Sequence, residues 1–476
     1  MTALNHRGRF IRTVAPAVSI LVAGALVAAC DSGSKATSNP TQNASAKDVT
    51  LTVTSNAIAG GKNTAEATWY ADYVIPKFTE AQKAKGVTVN LKFQPSGVDD
   101  EQYKAKMALD LKSKSGADVI ALDGIWVGEF AEAGYIKPLK DVVGPSVDSW
   151  DGWAQIPKSV QANAAFKDQL YGIPGGTDGR VLYYNKKLFA QAGLPADWQP
   201  TSWQEILDAG AKLKAVSGVI PLQIDAGTAM GEATTMQGAL PLLVGTGAEI
   251  YQNDKWQGNT SNVRDVLGFY KKLIDDGLMD KNYQLAAKGR DESFAAFAAG
   301  KIGILLEGDY FWRSVINPDK GSAPMTNRDT DVGFAMIPAK AKCSGVSSQD
   351  FVSMSGGGGT FVNPNTKYPQ QAWDLMTFMY SPEAIKAALN GQARITARQD
   401  VNKEVLGKDP LLGLISQKIL PLTRFRPGFA VYPQVSQALQ QATADIVSGK
   451  SVADAAAGYQ TAVEKVAGGA GKVASS

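Results

Sequence analysis

The stretch of sequence that decides the fold is residues 170–186, which read LYGIPGGTDGRVLYYNK. Residues 170–179 are rich in glycine and proline, so they are not expected to form a regular helix or strand. Residues 181–184 form a β-branched and aromatic run that is typical of a strand. We interpret the stretch as a passage between two structured bodies that presents one carboxylate, Asp178. On these residues alone, an ordinary loop before a strand is the simpler alternative.

A capped helix is predicted next, and the whole region resembles a known family. Residues 202–205 read SWQE, which is a capping box, and apolar residues then recur on one helix face through Leu213. Together with YGIP (171–174), TDGRVLYYNK (177–186) and LFAQAGLP (188–195), these residues closely resemble family 1 extracellular solute-binding proteins. Members of that family are the sugar-capturing subunits of bacterial ABC importers, and the resemblance covers nearly the whole mature chain.

The resemblance implies a fold class and a division of the chain. The implied fold is α/β and two-lobed, a periplasmic-binding-protein-like fold of type II similar to that of maltose-binding protein. Three inter-lobe crossings would join the lobes, with a ligand cleft between them. The predicted first lobe comprises residues 48–171 and 357–425, and the predicted second lobe comprises residues 172–356 and 426–476.

The N-terminal residues predict a secretion signal. Three arginines precede an apolar run, residues 14–29, which contains no charged side chain. This run is too short to span a membrane and ends in small residues, as signal peptides do. Residues 1–29 are therefore predicted to be a removable leader.

The leader ends at a cysteine that predicts a lipid anchor. Residues 27–30 read VAAC, which resembles a bacterial lipobox and implies cleavage before Cys30 and acylation of its thiol. A plain signal peptide followed by a chance cysteine is the alternative. After Cys30 the chain contains no large apolar side chain through residue 47. Residues 30–47 are therefore predicted to be a flexible tether.

Composition excludes several classes of function. Outside the three arginines of the leader, 45 basic residues balance 45 acidic ones, so charge gives no support to a nucleic-acid partner. The single histidine, His6, lies in the leader, which removes Ser-His-Asp, Cys-His and His-ligated metal chemistry from the mature chain. With Cys30 acylated, Cys343 would be unpaired. No metal and no cofactor is expected.

The first part of the mature chain predicts a parallel sheet. Alternating apolar residues predict strands over residues 49–53 and 87–93, with a helix-forming segment between them. A short buried strand is predicted over residues 118–122. This β-α-β order is typical of a parallel sheet with helices on its faces.

Two loops that follow these strands contain candidate ligand contacts. Ligands bind parallel sheets beyond the carboxyl ends of the strands, where Asn56 follows the first strand and Asp123 and Trp126 follow the third. A carboxylate accepts hydrogen bonds from sugar hydroxyls, and an indole ring stacks on a pyranose face. For Trp126, an ordinary core position is an equally weighted alternative.

A second family-like motif lies at residues 291–312, which read DESFAAFAAGKIGILLEGDYFW. The pattern predicts a helix stopped by Gly300, then a buried strand, then a turn. In the resembling family the aromatic residue after this turn stacks on the ligand, and Tyr310 occupies that position. The family usually has proline where this chain has Asp309, so Asp309 or Glu307 is expected to add a polar contact.

The resemblance also indicates the second and third crossings. Residues 355–362 read SGGGGTFV, which fits neither common phosphate-loop pattern. In the family this run is a crossing whose bare amides approach the ligand, which points to Gly357 and Gly358. The third crossing is expected at residues 424–429, where the family places an arginine on the ligand. Arg426 or Arg424 would fill that role, and a plain surface role is the alternative for each.

These observations predict a lipid-anchored protein that captures a carbohydrate, a mono- or oligosaccharide, by lobe closure. It would act as a monomer on the extracellular face of the bacterial cell membrane and deliver its ligand to permease subunits and their ATPase. One alternative is a non-sugar solute: a polyol, an amino acid, a polyamine or, if Lys62 and Arg426 face inward, a phosphorylated solute. Another is a secreted glycoside hydrolase that uses two of Asp123, Asp178, Glu307 and Asp309. The prediction favours a binder over an enzyme.

Overall fold

The computed structural model describes residues 39–61, 63–98 and 100–475 of the chain. The predicted leader, the predicted lipidation site Cys30 and the loop residue Lys62 lie outside these ranges. Within them, no helix combines the length and the hydropathy that crossing a bilayer requires.

The strands that build the fold form two larger sheets and one small pairing between crossing segments. In chain order they are β1 (Asp48–Ser55), β2 (Thr88–Pro95), β3 (Val119–Asp123), β4 (Gly172–Pro174), β5 (Arg180–Asn185), β6 (Ile220–Gln223), β7 (Ile302–Gly308), β8 (Val332–Ala335), β9 (Met354–Ser355), β10 (Gly358–Val362) and β11 (Arg424–Phe425). Shorter strands lie at Ala165–Phe166, Gln169–Leu170, Tyr251–Gln252, Lys255–Gln257, Ile337–Pro338, Phe351–Val352 and Val473–Ala474.

Helices cover the faces of both sheets. Those of six or more residues are α1 (Thr64–Trp69), α2 (Ile75–Ala84), α3 (Asp100–Lys112), α4 (Val127–Glu132), α5 (Lys186–Gln191), α6 (Trp203–Lys214), α7 (Leu240–Gly245), α8 (Ser261–Asp275), α9 (Gly289–Ala298), α10 (Pro369–Met379), α11 (Pro382–Leu389), α12 (Gln399–Val405), α13 (Tyr432–Val447) and α14 (Val452–Ala467). Shorter α-helical turns lie at Leu139–Val143, Lys158–Gln161, Glu232–Thr234, Lys281–Leu285, Arg328–Asp331 and Pro410–Leu414.

The first sheet has the strand order β2-β1-β3-β10-β4. β1 is parallel to β2 and β3, whereas β10 is antiparallel to β3 and β4. The alternation that predicted β1 is real, because Val49, Leu51 and Val53 are buried in one apolar cluster. The carboxyl ends of β1 and β3 therefore lie at the same edge of the sheet, as the β-α-β order predicts.

The second sheet has the strand order β8-β5-β7-β6. β7 is parallel to β6 and antiparallel to β5, and every residue of β7 is buried. Its neighbour β5 is also buried throughout, which explains why residues 181–184 read as a continuous apolar run. The residues that follow β6 and β7 lie at the carboxyl edge of this sheet.

Three segments pass between the two sheets. Residues 175–179 join β4 to β5, residues 356–357 join β9 to β10, and residues 426–431 lead from β11 to α13. β9 pairs in parallel with β11, so the second and third segments are joined by a backbone ladder. Because β4 pairs with β10, the first segment begins after Pro174, three residues beyond the predicted lobe boundary at residue 171.

Helix ends follow the predicted local chemistry, with one difference. The Ser202 hydroxyl accepts from the amide of Glu205, as a capping box requires. The Glu205 carboxylate, however, accepts from the amide of Thr201, one residue earlier than the pattern predicts. The helix that precedes β7 ends at Ala298, and Gly300 adopts a φ of 72°, a conformation that glycine tolerates at a helix end.

The segment before β1 differs from its prediction. The Asn43 side chain donates to the carbonyl of Lys367 at 2.9 Å, and Gln371 donates to the carbonyl of Asn43 at 2.9 Å. Gln370 likewise donates to the carbonyl of Pro40 at 2.9 Å. Residues 39–47 are thus attached to α10, so the prediction of a flexible tether is wrong for this part of residues 30–47. Polar side chains distant in sequence hold the segment, which its own composition could not reveal.

Candidate functional site

A cavity of about 550 Å³ opens at the carboxyl edge of the first sheet. It lies beyond the ends of β1 and β3 and borders Gly175 and Gly176 of the first crossing. Its volume falls in the range that encloses a small organic ligand. Four of the predicted contact residues line it: Asn56, Asp123, Trp126 and Gly358.

Asp123 is held by the turn that follows β3. Its carboxylate accepts a hydrogen bond from the amide of Ile125 at 3.1 Å and so caps a short 3-10 helix. Burial raises the pKa of Asp123, and the positive charge of Arg426 partly opposes that shift. The side chain is half-buried at the cavity wall, where a carboxylate oxygen can accept from a ligand hydroxyl.

Asn56 is fixed by the neighbouring loop. Its amide nitrogen donates to the carbonyl of Val98 at 3.0 Å and to Asp100 at 3.2 Å. Its side-chain oxygen is buried and has no hydrogen-bond partner among the described residues. Burying a polar atom without a partner is costly, so this oxygen is suited to accept from a ligand or a water molecule.

Trp126 lies at the cavity wall but belongs mainly to the core. Only 6% of the residue is exposed, and its ring packs against Tyr103 with centroids 6.4 Å apart. Little of the indole face is therefore free for stacking on a sugar, and the core alternative describes it better. Trp69, which the sequence did not single out, is half-buried at the same wall.

Asp178 joins two crossings to each other. Its Oδ1 accepts from the amide of Gly356 at 2.7 Å and from the Arg180 guanidinium. Burial disfavours the charged carboxylate, but Arg180, the Gly356 amide and Arg426 outweigh burial, so the pKa of Asp178 is lowered. The side chain keeps 34% of its surface exposed. Asp178 is thus first a structural link, with part of the carboxylate still accessible.

The glycines of the second crossing are required by close approach. Gly357 has a φ of 137°, and a Cβ placed there would lie 2.3 Å from the carbonyl oxygen of Gly176 in the first crossing. A Cβ at Gly358 would lie 2.6 Å from the carbonyl oxygen of Leu122 in β3. No side chain fits at either position, so the backbones of the crossings and of β3 pack directly.

The two arginines of the third crossing have different environments. Arg426 donates to Glu232 at 3.3 Å, and its Nε is buried without a partner among the described residues. Gly356 lies close to both Arg426 and Asp178. A Cβ placed on Gly356 would be 3.6 Å from the guanidinium of Arg426 and 3.8 Å from the carboxylate of Asp178. Arg424 instead pairs with Glu249 at 3.0 Å and borders a separate cavity of about 80 Å³. Of the two, Arg426 is the one beside the predicted contact residues.

Tyr310 lies at the carboxyl edge of the second sheet, directly after β7. It precedes a π-helical turn, Phe311–Val315, and is 49% exposed, which is unusual for an aromatic residue among the described residues. The amide of its neighbour Asp309 donates to the carbonyl of Gly179 at 3.0 Å. This contact places Tyr310 beside the first crossing with an accessible ring, as a stacking residue needs.

The acidic residues around Tyr310 are engaged inside the protein. Asp309 is 1% exposed and accepts from Arg313 at 2.5 Å, and burial raises its pKa. Glu307 is fully buried and receives two bonds from Arg290, at 2.6 and 2.9 Å. Burial, and then the charge of Glu307, raise the pKa of nearby Asp225 well above its usual range. The polar ligand contact expected from Asp309 or Glu307 is therefore poorly supported.

Several side chains line the cavity that sequence reasoning did not select. Glu66 on α1 is half-buried there, and Arg394 contributes a positive charge. Tyr103 and Tyr380 also line it. Glu66 lies in a segment that reads only as helix-forming, so nothing local marks it. Among the described residues, no cluster of three or more His, Cys, Asp or Glu side chains is placed to hold a metal ion.

Comparison with known proteins identifies what the chain is similar to. Residues 61–386 match the family model described as bacterial extracellular solute-binding protein. A Brucella abortus (strain 2308) chain named only as a binding protein is 25% identical over 393 residues, covering 80% of this chain and 87% of that one. A mannitol-binding protein of Pseudomonas aeruginosa is 23% identical over 52% of this chain and 54% of its own length. An sn-glycerol-3-phosphate-binding periplasmic protein of Agrobacterium fabrum is 27% identical over 36% of this chain and 40% of its own.

Solved structures agree on the fold. The sugar-binding protein MalE of Xanthomonas citri superposes with a TM-score of 0.69 at 17% identity, covering 88% of this chain and 97% of that one. At this identity the likeness concerns the fold alone. The predicted two-lobed α/β fold of type II is confirmed.

Proposed function

Because the chain belongs to the bacterial extracellular solute-binding proteins, we propose that it captures a carbohydrate and delivers it to the permease of an ABC importer. The solute would be a mono- or oligosaccharide, bound between the two sheets. The permease subunits and their ATPase would then transport it.

The observation that carries the proposal is the cavity at the carboxyl edge of the first sheet, with Tyr310 at the corresponding edge of the second. Asp123 and the unpartnered oxygen of Asn56 supply acceptors for hydroxyl groups. The exposed ring of Tyr310 supplies an apolar face of the kind that sugars stack on. Tyr310 does not itself line the cavity. A ligand that extends from the cavity to the second sheet would meet acceptors on one side and an aromatic ring on the other, which suits a polyhydroxylated compound.

The crossings support a hinge mechanism. The three segments between the sheets are short, and Asp178, Gly356 and Arg426 gather where they meet. A ligand that contacts both sheets would bind the closed arrangement more tightly than the open one. The ratio of these two affinities sets how far the ligand shifts the protein toward the closed arrangement. The buried links among the crossings would keep the hinge axis fixed while the lobes move.

The membrane anchor and the extracellular location are part of this proposal and rest on the sequence of residues 1–30. Attachment of residues 39–47 to α10 leaves eight residues between Cys30 and Asn39. Even fully extended, such a segment spans roughly 30 Å or less. An anchored protein would therefore be held close to the membrane surface.

The four carboxyl groups named for the hydrolase alternative do not come together at the cavity. Glycoside hydrolases need two carboxyl groups that flank the substrate. Asp178, Glu307 and Asp309 each pair with an arginine, and the last two are almost fully buried. Asp123 alone of the four lines the cavity.

A thermal-shift screen tests the proposal. The protein without its predicted leader would be melted with sugars, polyols, amino acids, polyamines and glycerol phosphate. A ligand specific for the folded state stabilises it by about 2.7 kcal/mol at a hundredfold excess over Kd. We expect the largest shift from a carbohydrate. A shift confined to amino acids or polyamines would refute the carbohydrate assignment.

Substitution of Tyr310 tests the site. Tyr310→Ala should weaken carbohydrate binding about tenfold or more, because truncation of an aromatic contact removes its stacking area. Tyr310→Phe should retain most of the affinity. Leu109→Ala is the matched control, since Leu109 is 66% exposed on α3 and does not line the cavity. Equal binding by Tyr310→Ala and Leu109→Ala would show that Tyr310 is not a contact.

A further inference from the structure

Five aromatic residues among those that the structure describes line the cavity, and they differ in accessibility. Tyr70, Tyr103, Trp126 and Tyr380 are buried, and none of them has more than 7% of its surface exposed. Trp69 is only half-buried, which leaves part of its side chain accessible at the cavity wall. Of these five residues, Trp69 is therefore the one whose ring a ligand can best reach.

The polar group of Trp69 is already used inside the protein. Its Nε1 donates to the carbonyl of Ala384 at 2.9 Å, which ties α1 to α11 and fixes the orientation of the ring. The Tyr70 ring packs against it at a tilt of 53°, with centroids 4.9 Å apart. Because its N–H is engaged, Trp69 offers a ligand the apolar surface of its ring, a surface suited to stacking on the C–H face of a sugar.

Apolar side chains of α1 and α11 extend the surface around Trp69. On α11, Ile385, Ala388 and Leu389 line the cavity, and their spacing of three and four residues puts them on one helix face. On α1, Ala65 lies one helical turn before Trp69 and lines the cavity too. All five are exposed or half-buried. These five residues are called the apolar wall below, and a ligand that covers the wall removes apolar surface from water.

A rigid ring and an open chain use such a wall differently. A pyranose holds its C–H groups in a fixed face that can stack on an indole ring. An open-chain polyol must first order its rotating C–C bonds to present a comparable face, and that ordering costs binding free energy. Acceptors such as Asn56 and Asp123 serve the hydroxyl groups of both kinds of ligand. The wall, rather than the acceptors, can therefore distinguish the two.

We propose that Trp69 is a specificity-determining residue on which a sugar ring stacks, and that the apolar wall makes the cavity select cyclic sugars over open-chain polyols. This inference rests on the proposed function and narrows it, because it excludes the polyols that the sequence left open. The solute presents one ring to Trp69, and its hydroxyl groups bind acceptors elsewhere in the cavity.

Matched pairs of a sugar and its open-chain alcohol test this inference. Isothermal titration would compare D-glucose with D-glucitol, D-galactose with galactitol, and D-xylose with xylitol. In each pair that binds, the Kd of the alcohol should be at least about tenfold higher than that of the sugar, because the alcohol must be ordered on binding.

Two variants assign the effect to Trp69. Trp69→Leu keeps an apolar side chain but removes the flat ring, so it should weaken sugar binding about tenfold or more and lower the ratio of the two Kd values by about threefold or more. Trp69→Phe keeps a flat ring and should retain most of the ratio. A partly unfolded sample would lose sites for both ligands alike, so the ratio reports on the contact and not on folding.

Trp153→Leu is the matched control. Trp153 is also half-buried, its Nε1 donates to the carbonyl of Val147 at 2.7 Å, and the ring of Trp150 packs against it with centroids 4.9 Å apart. Trp153 does not line the cavity. Its substitution should therefore leave both Kd values within about twofold of wild type.

The outcomes separate this inference from the proposed function. Equal affinity for a sugar and its open-chain alcohol would overturn the inference and leave carbohydrate capture standing. Equal effects of Trp69→Leu and Trp153→Leu would overturn the role of Trp69. Tighter binding of an open-chain alcohol than of every sugar would overturn the inference together with the carbohydrate assignment, as would binding of none of the probes.

Discussion

The Asp178–Arg180 pair offers the sharpest test of how the crossings are held together. Arg180 is 7% exposed at its side chain and Asp178 is 34% exposed, so this ion pair is partly shielded from water. Arg180 also donates to Gln237 at 2.9 Å and to the carbonyl of Met354 at 3.2 Å, and it cannot turn away without losing these bonds. Asp178→Asn removes the charge while keeping an oxygen that can accept from Gly356.

The magnitude follows from burial. Breaking a fully buried ion pair by removing one charge costs roughly 3–5 kcal/mol. The exposed third of Asp178 and the retained hydrogen bonds reduce this loss to about 1–2 kcal/mol. With an unfolding entropy of roughly 2 cal/mol/K per residue, the melting temperature of a chain this long should fall by about 2 °C. Asp178→Ala would also leave the Gly356 amide without its acceptor, so a loss of binding in that variant would not identify a ligand contact.

Thermal melts across pH provide the assay. The lowered pKa of Asp178 means that its charge stabilises the folded state above the unfolded pKa of about 3.9, and that this stabilisation disappears as the pH falls through the folded pKa. Wild type and Asp178→Asn should therefore differ most at pH 7 and converge below about pH 4.

Asp148→Asn is the matched control. Its partner is Lys140, and both side chains of that pair are about 60% exposed. Removing this charge should change stability by less than about 0.5 kcal/mol at any pH. If Asp178→Asn melts at the same temperature as Asp148→Asn at pH 7, the reasoning about the crossings is wrong.

Two further predictions concern buried groups. Asp225 has a raised folded pKa, so the folded state favours its neutral form and loses stability as the pH rises from about 4 toward that pKa. In urea unfolding, the free energy of unfolding of Asp225→Asn should therefore increase relative to that of wild type as the pH rises from 4 to 7. A difference between the two proteins that stays constant over this range would contradict the prediction. Gly357→Ala should destabilise by about 2 kcal/mol or more because its Cβ meets the carbonyl of Gly176, whereas Gly458→Ala, in helix α14 with open space around it, should be neutral or stabilising by up to about 1 kcal/mol. Equal melting temperatures for the two alanine variants would refute the close approach of the crossings.

Local physical rules were sufficient for most elements of the fold. The alternation of Val49, Leu51 and Val53 predicts β1 because period-2 burial is a property of the strand itself. The capping box at residue 202 predicts the start of α6 because both partners lie within one helical turn. The resemblance assigned the glycines at 356–359 to a crossing whose amides approach the ligand, and that contact stays a prediction. The structure shows that Gly357 also packs directly against the backbone of Gly176.

Errors arose where the deciding partner is distant in sequence. Residues 39–47 read as a tether because their composition offers nothing to bury, but Gln370 and Gln371, more than 300 residues away, hold them through backbone carbonyls. The expected ligand contact of Glu307 stays a prediction, but it faces the same difficulty. Its carboxylate is occupied by Arg290 from α9, a pairing that no local pattern contains.

The sequence by itself determined the order of most elements, because periodicity and capping are local properties, and its resemblance to a known family indicated the two-lobed fold class. It also placed Asn56, Asp123 and Tyr310 at strand ends, and strand ends are where parallel sheets gather their ligands. The tertiary structure alone decided which charges are free. Asp178, Asp309 and Arg426 are committed to partners across the crossings, whereas Glu66, in an unremarkable helix, faces the cavity. Whether a charged group is paired depends on which distant side chain folding brings within a few ångströms of it, and that information lies in the packing of the sheets and crossings.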